Sequence, residues 1–295
     1  MEEREPNSLF QTKRVIRTLL ESVGASPKKR FGQCFLIDRN LMDKLVDSAE
    51  LRPTDVVLEV GGGTGSLTAI LAARCGRVVS VEIDREVASV ARESLAEFAN
   101  IVLLEEDALE SKSSLNPIVV RQLELARGAI SGELKLVANL PYDIATPLVV
   151  NLLVSDLPIT RLCFTVQAEV ADRFLAVTGT HDYGPVSILT QLLATGRRIC
   201  KLPPQAFWPA PKVHSAMLRL DVHPQADWNR LEVAVFAAFV HRFFQFRRKT
   251  IAHIAKMLEL SEPVLAALTG LGVSPTARPE NISPQQWLSL FRACQ

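Results

Sequence analysis

Four glycines within five residues form the most informative stretch of this sequence. They follow an apolar run, 56–60, that contains one acid, Glu59, and they precede a segment of helical composition that begins at Ser66. A strand, a glycine-rich turn and a helix in this order allow backbone N–H groups to approach a bound ligand closely. The stretch predicts a ligand-binding loop; the alternative is a tight turn that binds nothing.

The spacing of the glycines disfavours the common diphosphate-binding loops. Gly61, Gly63 and Gly65 form G-x-G-x-G, whereas a dinucleotide fingerprint has its third glycine or alanine where Ser66 stands. A P-loop needs a lysine, and this loop has none. Because Glu59 would repel a diphosphate, a cationic or hydroxyl-rich ligand suits the loop better. The pattern resembles motif I of S-adenosylmethionine-dependent methyltransferases.

Acidic residues follow the next two predicted strands. Glu82 ends the strand 78–82 and is spaced from the glycines like the acid that hydrogen-bonds ribose hydroxyls in nucleotide-binding sheets. Asp107 follows the strand 101–104, where it could accept a bond from an adenine amino group. The alternatives are a helix N-cap, for which Asp84 is better placed, and a solvated turn.

Asn139-Leu140-Pro141-Tyr142 follows a fourth predicted strand, 134–138. Pro141 disfavours helical geometry at Leu140, so the Leu140 carbonyl can face outward beside the Asn139 side-chain carbonyl. Two neighbouring acceptors suit a primary amino group, and Tyr142 offers a face on which an unpaired base can stack. The pattern favours a site for an adenine amino group; the alternative is an asparagine that caps a turn beside a buried tyrosine.

Such a site would promote attack by a weak nucleophile. The lone pair of an adenine amino nitrogen is delocalised into the ring, and two accepted hydrogen bonds would localise it on the nitrogen. The nitrogen could then attack a sulfonium methyl group in line, without a strong base. Catalysis would depend mostly on positioning, which is worth roughly 7–11 kcal/mol in well-oriented reactions.

Taken together, these motifs resemble the KsgA-type ribosomal RNA adenine dimethyltransferases, with the erythromycin-resistance methylases as their closest cousins. The resemblance extends from Lys29 over nearly the whole remaining chain. It includes the segments 30–36, 59–67, 82–84, 106–108, 139–142, 183–184, 207–213, 247–250 and 278–283. Several ordered motifs at the separations typical of a family are a far more specific signal than any one of them.

The resemblance implies a set of site residues. The S-adenosylmethionine site would include Gln33, Cys34, Leu36, Glu59, Gly61, Gly63, Glu82, Asp107 and Asn139. Asn139 and the Leu140 carbonyl would hold the target amino group, and Tyr142 and Phe207 would pack against the adenine ring. The implied substrate is a pair of adjacent adenosines in the 3′-terminal hairpin loop of small-subunit rRNA, within an immature small ribosomal subunit. Unpaired loop bases cost least to extrude.

Two positions depart from the family pattern. Cys34 stands where the family usually has asparagine, which weakens one expected polar contact to the cofactor. Asp143 stands where asparagine often follows the tyrosine, and its charge would repel a phosphate or pair with a nearby cation. Neither position carries the central chemistry.

Clustered cations are the candidates for contacts to RNA phosphates, although solvated surface charge is the ordinary alternative for each of them. They are Lys28, Lys29, Arg30, Arg197, Arg198, Lys201, Lys212, Arg247, Arg248 and Lys249.

Composition excludes several other classes of protein. A net charge of +1 over 295 residues creates no global field for a polyanion, so RNA binding must come from local clusters. The five cysteines are scattered and fit no metal spacing, so we expect no metal site. The N-terminus is acidic and polar, and no apolar run is long enough to span a membrane. We therefore expect a cytoplasmic protein that functions as a monomer.

Strands alternate with helices as far as residue 222, which predicts a doubly wound, mainly parallel α/β sheet of the Rossmann-like class I methyltransferase type. A helical arm, about 8–50, precedes it. No strand is predicted after residue 222, and residues 228–260 have helical periodicity, whereas residues 109–133 are less clearly patterned. We expect a catalytic domain at 1–222 and a small all-helical domain at 223–295 that contacts the RNA substrate.

Two other functions remain open at this point. One is methylation of large-subunit rRNA, as in the erythromycin-resistance methylases; the segment 278–283 argues against it. The other is a non-catalytic RNA-binding assembly or transcription factor on the same fold, which the intact 139–142 motif and glycine loop disfavour.

Overall fold

The computed structural model describes residues 10–224 and 230–295, which form two compact units. The first unit contains the described residues up to Ala171 and Arg197–Val222. The second contains Asp172–Gly196 and the described residues from His223 to Gln295.

The described residues contain eleven strands and twelve α-helices. The strands are β1 (Phe35–Leu36), β2 (Val56–Val60), β3 (Arg77–Val81), β4 (Ile101–Leu104), β5 (Leu109–Ser111), β6 (Ser114–Leu115), β7 (Leu134–Asn139), β8 (Ile159–Gln167), β9 (Ala194–Leu202), β10 (Phe207–Trp208) and β11 (Ser215–Val222). The helices are α1 (Lys13–Ser22), α2 (Arg39–Ser48), α3 (Ser66–Ala72), α4 (Arg85–Ser94), α5 (Pro117–Ala129), α6 (Ala145–Val154), α7 (Ala168–Leu175), α8 (Pro185–Leu193), α9 (Arg230–Phe244), α10 (Ile251–Met257), α11 (Ser261–Gly270) and α12 (Pro284–Ala293).

Seven strands form the central sheet, in the order β4-β3-β2-β7-β8-β11-β9. The pairs from β4 through β8 are parallel, and β11 is antiparallel to β8. All five residues of β2 are buried, as expected for a near-continuous apolar strand that is covered on both faces. The prediction of a doubly wound, mainly parallel α/β sheet is confirmed.

The strand order reverses at β2, because β3 and β4 lie on one side of it and β7 and β8 on the other. In open α/β sheets, ligands bind at such a switch point, beyond the carboxyl ends of the strands. The topology therefore brings the glycine loop after β2, the acids after β3 and β4, and Asn139 at the end of β7 to one edge of the sheet.

Three helical or strand segments differ from the prediction. The sequence pattern did not predict α6, because this buried segment is apolar nearly throughout and lacks the polar face that marks an amphipathic helix. The predicted helical region 228–260 contains two helices, α9 and α10, and Thr250 caps the second through its side chain. The poorly patterned region 109–133 contains the β5–β6 hairpin before α5. Residues 8–9 and 228–229 of the predicted helices lie outside the described residues.

The second unit has an aromatic core. Phe236 and Phe291 lie 5.4 Å apart between ring centroids, as do Phe243 and Trp287. Phe239 contacts Trp287 at 6.3 Å. Edge-to-face arrangements of this kind add to the free energy from burying the rings. Apart from Ala194–Gly196 at the start of β9, the described residues of this unit contain no strand.

The second unit begins earlier in the chain than we predicted, since Asp172–Gly196 also belong to it. Tyr183 shows why: it is fully buried, and its hydroxyl donates a hydrogen bond of 2.8 Å to the Ile282 carbonyl. The ring of Tyr183 also packs against Phe244. Contacts between residues so distant in sequence leave no local pattern from which the boundary could be read.

At the amino ends of β2 and β7, Lys135 and Asp55 form a buried ion pair. The Lys135 Nζ lies 2.7 Å from the Asp55 Oδ2, and both side chains are at most 2% exposed. Asp55 also accepts hydrogen bonds from the backbone N–H groups of Arg52 and Glu133. The pair joins the two central strands at the edge opposite the predicted site.

No helix of the described residues is long and apolar enough to cross a membrane.

Replacing Lys135 with Met should lower the free energy of unfolding by about 3–5 kcal/mol, because a buried charge loses its partner. The additional change Asp55→Asn should restore part of that loss. Chemical denaturation followed by circular dichroism measures both. As the control, Arg17→Met removes an exposed ion pair with Glu21 and should cause no measurable change. Equal effects of Lys135→Met and Arg17→Met would refute the structural role of the buried pair.

Candidate active site

A cavity of about 300 Å³ lies at the carboxyl ends of β2, β3, β4 and β7. It is lined by residues of 30–35, 60–63, 81–83, 106–108 and 139–144. Its size lies at the lower end of the range for small-molecule sites, about 300–1,000 Å³. Among the predicted cofactor residues, the cavity brings together Gln33, Cys34, Gly61, Gly63, Glu82, Asp107 and Asn139. Leu36 and Glu59 line a smaller neighbouring cavity of about 40 Å³.

The glycine loop requires glycine for two reasons. Gly61, Gly63 and Gly65 have φ angles of 80°, 57° and 91°, in the left-handed region that other residues seldom adopt. A Cβ on Gly62 would lie 2.2 Å from the Ser80 Oγ. The loop therefore passes close to β3 and then leads into α3, for which Gly65 is the N-cap residue.

Glu82 joins the loop to the end of β3. Its Oε2 accepts a hydrogen bond of 2.9 Å from the Gly63 N–H, and its Oε1 accepts one of 2.9 Å from the Asp84 N–H. The side chain is 5% exposed, and this burial raises the pKa of the carboxyl group. Glu82 thus presents an acceptor-rich, poorly solvated group at the cavity.

Glu59 lies beneath the loop. Its Oε2 accepts hydrogen bonds from the Thr68 hydroxyl at 2.6 Å and the Ser80 hydroxyl at 2.7 Å. Its Oε1 has no hydrogen-bond partner in the described part of the chain. Burial, with a smaller contribution from the nearby charge of Glu82, raises the pKa of Glu59 to about 7, although the two hydroxyl hydrogen bonds act in the opposite direction.

Asp107 and Cys34 both line the cavity. Asp107 is exposed, and its Oδ1 caps the backbone N–H of Leu109 at 2.9 Å. The Cys34 thiol is half-buried, which raises its pKa and keeps it neutral. The main-chain carbonyl of Cys34 is the group that makes a polar contact, as an acceptor for Asn139.

The Lys28 side chain is 27% exposed, and its ammonium pairs with two carboxylates. It lies 2.8 Å from the Asp84 Oδ1 and 2.7 Å from the Glu86 Oε2. Gln33 bonds to both residues: its Oε1 accepts a hydrogen bond from the backbone N–H of Lys28, and its Nε2 donates one to the Asp84 carboxylate. The expectation that Lys28 contacts RNA stays a prediction; in this structure two carboxylates neutralise its charge and anchor the segment that lines the cavity.

Both ends of the Asn139 side-chain amide are bonded. Nδ2 donates to the Cys34 carbonyl at 2.8 Å, and Oδ1 accepts from the Thr165 hydroxyl at 2.5 Å. Leu140 also lines the cavity, and its carbonyl accepts no hydrogen bond from the described residues. A carbonyl oxygen has two lone pairs, so Asn139 retains one and Leu140 two, and each can accept one hydrogen of an amino group.

Tyr142 lines the cavity with its hydroxyl tied back to the sheet. The Tyr142 and Ser215 hydroxyl oxygens lie 2.7 Å apart, and Ser215 is fully buried at the start of β11. Burial raises the pKa of Tyr142 to about 12, so the phenol is neutral. The ring is held at its far end and can offer a rigid face to a base.

Phe207 is buried in the core beside the cavity. Its side chain is 2% exposed and packs into the core cluster with Met42, Leu45 and Leu202. It pairs with Leu36 in the short β1–β10 ladder, outside the cavity lining. The expectation that Phe207 packs against the adenine ring stays a prediction; in this structure its side chain packs in the core.

The other predicted RNA-binding cations fall into three groups. In the first unit, Arg30 lines the cavity and stacks over the Phe31 ring, and Arg197, Lys201 and Lys212 are exposed. Arg198 there is half-buried, as is Arg247 in the second unit, which donates to the carbonyls of Thr180 and His181. Arg248 and Lys249 in the second unit are exposed. The Lys29 side chain lies outside what the structure describes.

Three polar residues at the site were not predicted. Thr165 and Ser215 bond to Asn139 and Tyr142, and Gln11 bonds to the glycine loop through the Thr64 carbonyl and hydroxyl. For Thr165 and Ser215, the only signal in the sequence was a hydroxyl residue within or beside an apolar strand, which is common.

In the described residues, no group of three or more His, Cys, Asp or Glu side chains is arranged to hold a metal ion.

Comparison with known proteins places these motifs in one family. Residues 24–295 match the family described as "Ribosomal RNA adenine dimethylase". The ribosomal RNA small subunit methyltransferase A of Caldanaerobacter subterraneus subsp. tengcongensis is 38% identical over 268 residues, which are 90% of this chain and 96% of the relative.

Two solved structures share the fold. A dimethyladenosine transferase from Plasmodium falciparum superposes with a TM-score of 0.69 at 23% identity, covering 87% of this chain and 95% of its own. The 23S rRNA methyltransferase ErmE gives a TM-score of 0.63 at 29% identity, covering 88% and 98%. The predicted fold and the predicted enzyme class, an RNA adenine methyltransferase, are confirmed. The match over residues 24–295 and the identity to a nearly full-length relative show that the chain belongs to the ribosomal RNA adenine dimethylase family.

Proposed function

We propose that this protein transfers methyl groups from S-adenosylmethionine to the exocyclic amino groups of two adjacent adenosines in the 3′-terminal hairpin loop of small-subunit rRNA, two to each. Its substrate is an immature small ribosomal subunit in the cytoplasm. One observation carries the proposal: the Asn139 and Leu140 carbonyls line the same cavity as the glycine loop and two strand-end acids.

The residues of the cavity fit S-adenosylmethionine. When bound, this cofactor supplies an electrophilic methyl group on a positively charged sulfur. Glu82 can accept hydrogen bonds from ribose hydroxyls through the lone pairs that Gly63 and Asp84 leave free, and Asp107 can accept one from the adenine amino group. Because Glu59, Glu82 and Asp107 are acidic, the site favours a cation and disfavours a phosphate.

The protein acts on the target base through acceptors. Asn139 Oδ1 and the Leu140 carbonyl each accept one hydrogen of the amino group, which localises the nitrogen lone pair toward the cavity. Tyr142 provides a stacking face for the extruded base, a contact worth about 1–3 kcal/mol. No strong base is needed, because the methylated nitrogen is acidic and loses its proton to water.

Contacts to the RNA backbone involve the exposed cations. In the first unit these are Arg30, Arg197, Lys201 and Lys212, and in the second unit Arg248 and Lys249. Phosphate contacts set register and orientation without reading sequence. We propose that the second unit binds the RNA. By setting the register and orientation of the RNA, it would contribute to the choice of substrate.

Asn139→Ala should lower kcat for rRNA methylation about 10²–10³-fold, the range found when one polar contact to a reacting group is removed. The assay uses labelled S-adenosylmethionine and small subunits from cells that lack this protein, with the labelled nucleotides mapped by mass spectrometry. Asn151→Ala is the control, because the side-chain amide of Asn151, like that of Asn139, donates a hydrogen bond to a main-chain carbonyl, but Asn151 lies in α6. It should retain the wild-type rate.

The label should appear on two adjacent adenosines of the terminal hairpin. Label on large-subunit rRNA would instead support the activity that the name of ErmE describes. If calorimetry shows no binding of S-adenosylmethionine, the protein is not an enzyme of this type and the non-catalytic alternative gains support.

Glu59→Gln should flatten the dependence of stability on pH. The folded-state pKa of about 7 exceeds the ordinary value of 4.5, so the folded protein retains a proton that the unfolded chain releases. Wild-type stability should therefore fall as the pH rises from about 4.5 to 7, by at most about 3 kcal/mol at about 1.4 kcal/mol per pH unit.

Urea denaturation at pH 5 and pH 8 measures this effect. Glu59→Gln should gain stability relative to the wild type at pH 8 but not at pH 5. The exposed Glu124→Gln serves as control and should follow the wild type at both values. A Glu59→Gln variant with the wild-type pH profile would show that the carboxyl group is ionised at neutral pH in the folded protein.

A further inference from the structure

Thr165 lies beside Asn139 on the neighbouring strand. The parallel register of β7 and β8 pairs the two residues, and Thr165 is fully buried. Its hydroxyl donates a hydrogen bond of 2.5 Å to the Asn139 Oδ1. Valine would fill nearly the same volume in this apolar strand, so the hydroxyl group is the feature that needs a physical reason.

The other end of the Asn139 amide is held as well, by the Cys34 carbonyl at 2.8 Å. If the amide rotated by 180°, its Oδ1 would face that carbonyl, and two acceptors cannot bond to each other. The two contacts therefore select one orientation. Thr165 takes up one lone pair of Oδ1, and the second lone pair remains.

We propose that Thr165 is a positioning residue for methyl transfer, which holds the Asn139 Oδ1 so that its second lone pair faces the target amino group. This inference rests on the function proposed above for Asn139. The last torsion of an asparagine side chain is broad, so without a fixed partner Oδ1 would sample many directions. The second acceptor, the Leu140 carbonyl, belongs to the backbone, so the geometry of the pair depends on keeping Asn139 in place.

The test compares Thr165→Val with Thr165→Ser in steady-state methylation of small subunits. Thr165→Val should lower kcat about 10–100-fold, since small misplacements of reacting groups have effects of this size. The Kd for S-adenosylmethionine and the KM for small subunits should stay within about threefold, because binding does not need the hydroxyl. Thr165→Ser should recover most of the rate. Thr165→Ala offers a second variant without the hydroxyl in case the valine variant does not fold.

Thr190→Val provides the matched control. Thr190 lies in the second unit and, like Thr165, is buried, with 2% exposure. Its hydroxyl has no hydrogen-bond partner in the described residues. Its replacement should leave kcat unchanged. A second readout is independent of activity: the Asn139 side-chain amide signals, identified in the ¹⁵N NMR spectrum by their loss in Asn139→Ala, should shift in Thr165→Val and not in Thr190→Val or Thr165→Ser.

A wild-type kcat for Thr165→Val would overturn the proposal, as would unshifted Asn139 signals. A loss that appears only as weaker cofactor binding or as a lower melting temperature would assign Thr165 a purely structural role and also overturn it. Failure of the wild-type protein to methylate small-subunit rRNA is a different result. It would refute the proposed function, while the NMR comparison would still decide whether Thr165 orients Asn139.

Discussion

The hydrogen bond from the Gly63 N–H to the Glu82 carboxylate connects the two strands on which the whole site depends. β2 and β3 are parallel neighbours, with Val60 paired to Val81, so their carboxyl ends lie side by side. The glycine loop can close over that edge only because its backbone adopts left-handed angles and a carboxylate accepts its amide. The position of the cavity between the strand ends follows from this attachment and from the reversal of strand order at β2.

Charge is distributed differently at the two ends of the central strands. At the amino ends, the buried Asp55 is neutralised by Lys135 and by backbone donors. At the carboxyl ends, Glu59 and Glu82 are buried without a cation partner in the described residues, and the pKa of each is raised. Unpaired buried acids reduce stability, and perturbed carboxyl groups of this kind concentrate at functional sites. The asymmetry distinguishes the end that stabilises the fold from the end at which we propose that the cofactor binds.

Hydroxyl groups from the neighbouring strands support the two residues that we propose face the target base. Thr165 on β8 bonds to Asn139, and Ser215 on β11 bonds to Tyr142. Both hydroxyls are fully buried in the sheet, so the loop that follows β7 is braced by rigid elements. Positioning of this kind suits a reaction in which the protein supplies geometry rather than a strong acid or base.

The sequence by itself determined the strands of the central sheet, the glycine loop and the acids at the strand ends, because apolar periodicity and turn chemistry act over a few residues. Family motifs spread along the chain determined the enzyme class. α6 was missed because a helix buried all round has no polar face. Only the tertiary structure decided that Lys28 is paired with Asp84, that Phe207 belongs to the core, and that Thr165 lies beside Asn139. These are contacts between residues far apart in the chain, and their partners depend on strand order and register, which local composition does not encode.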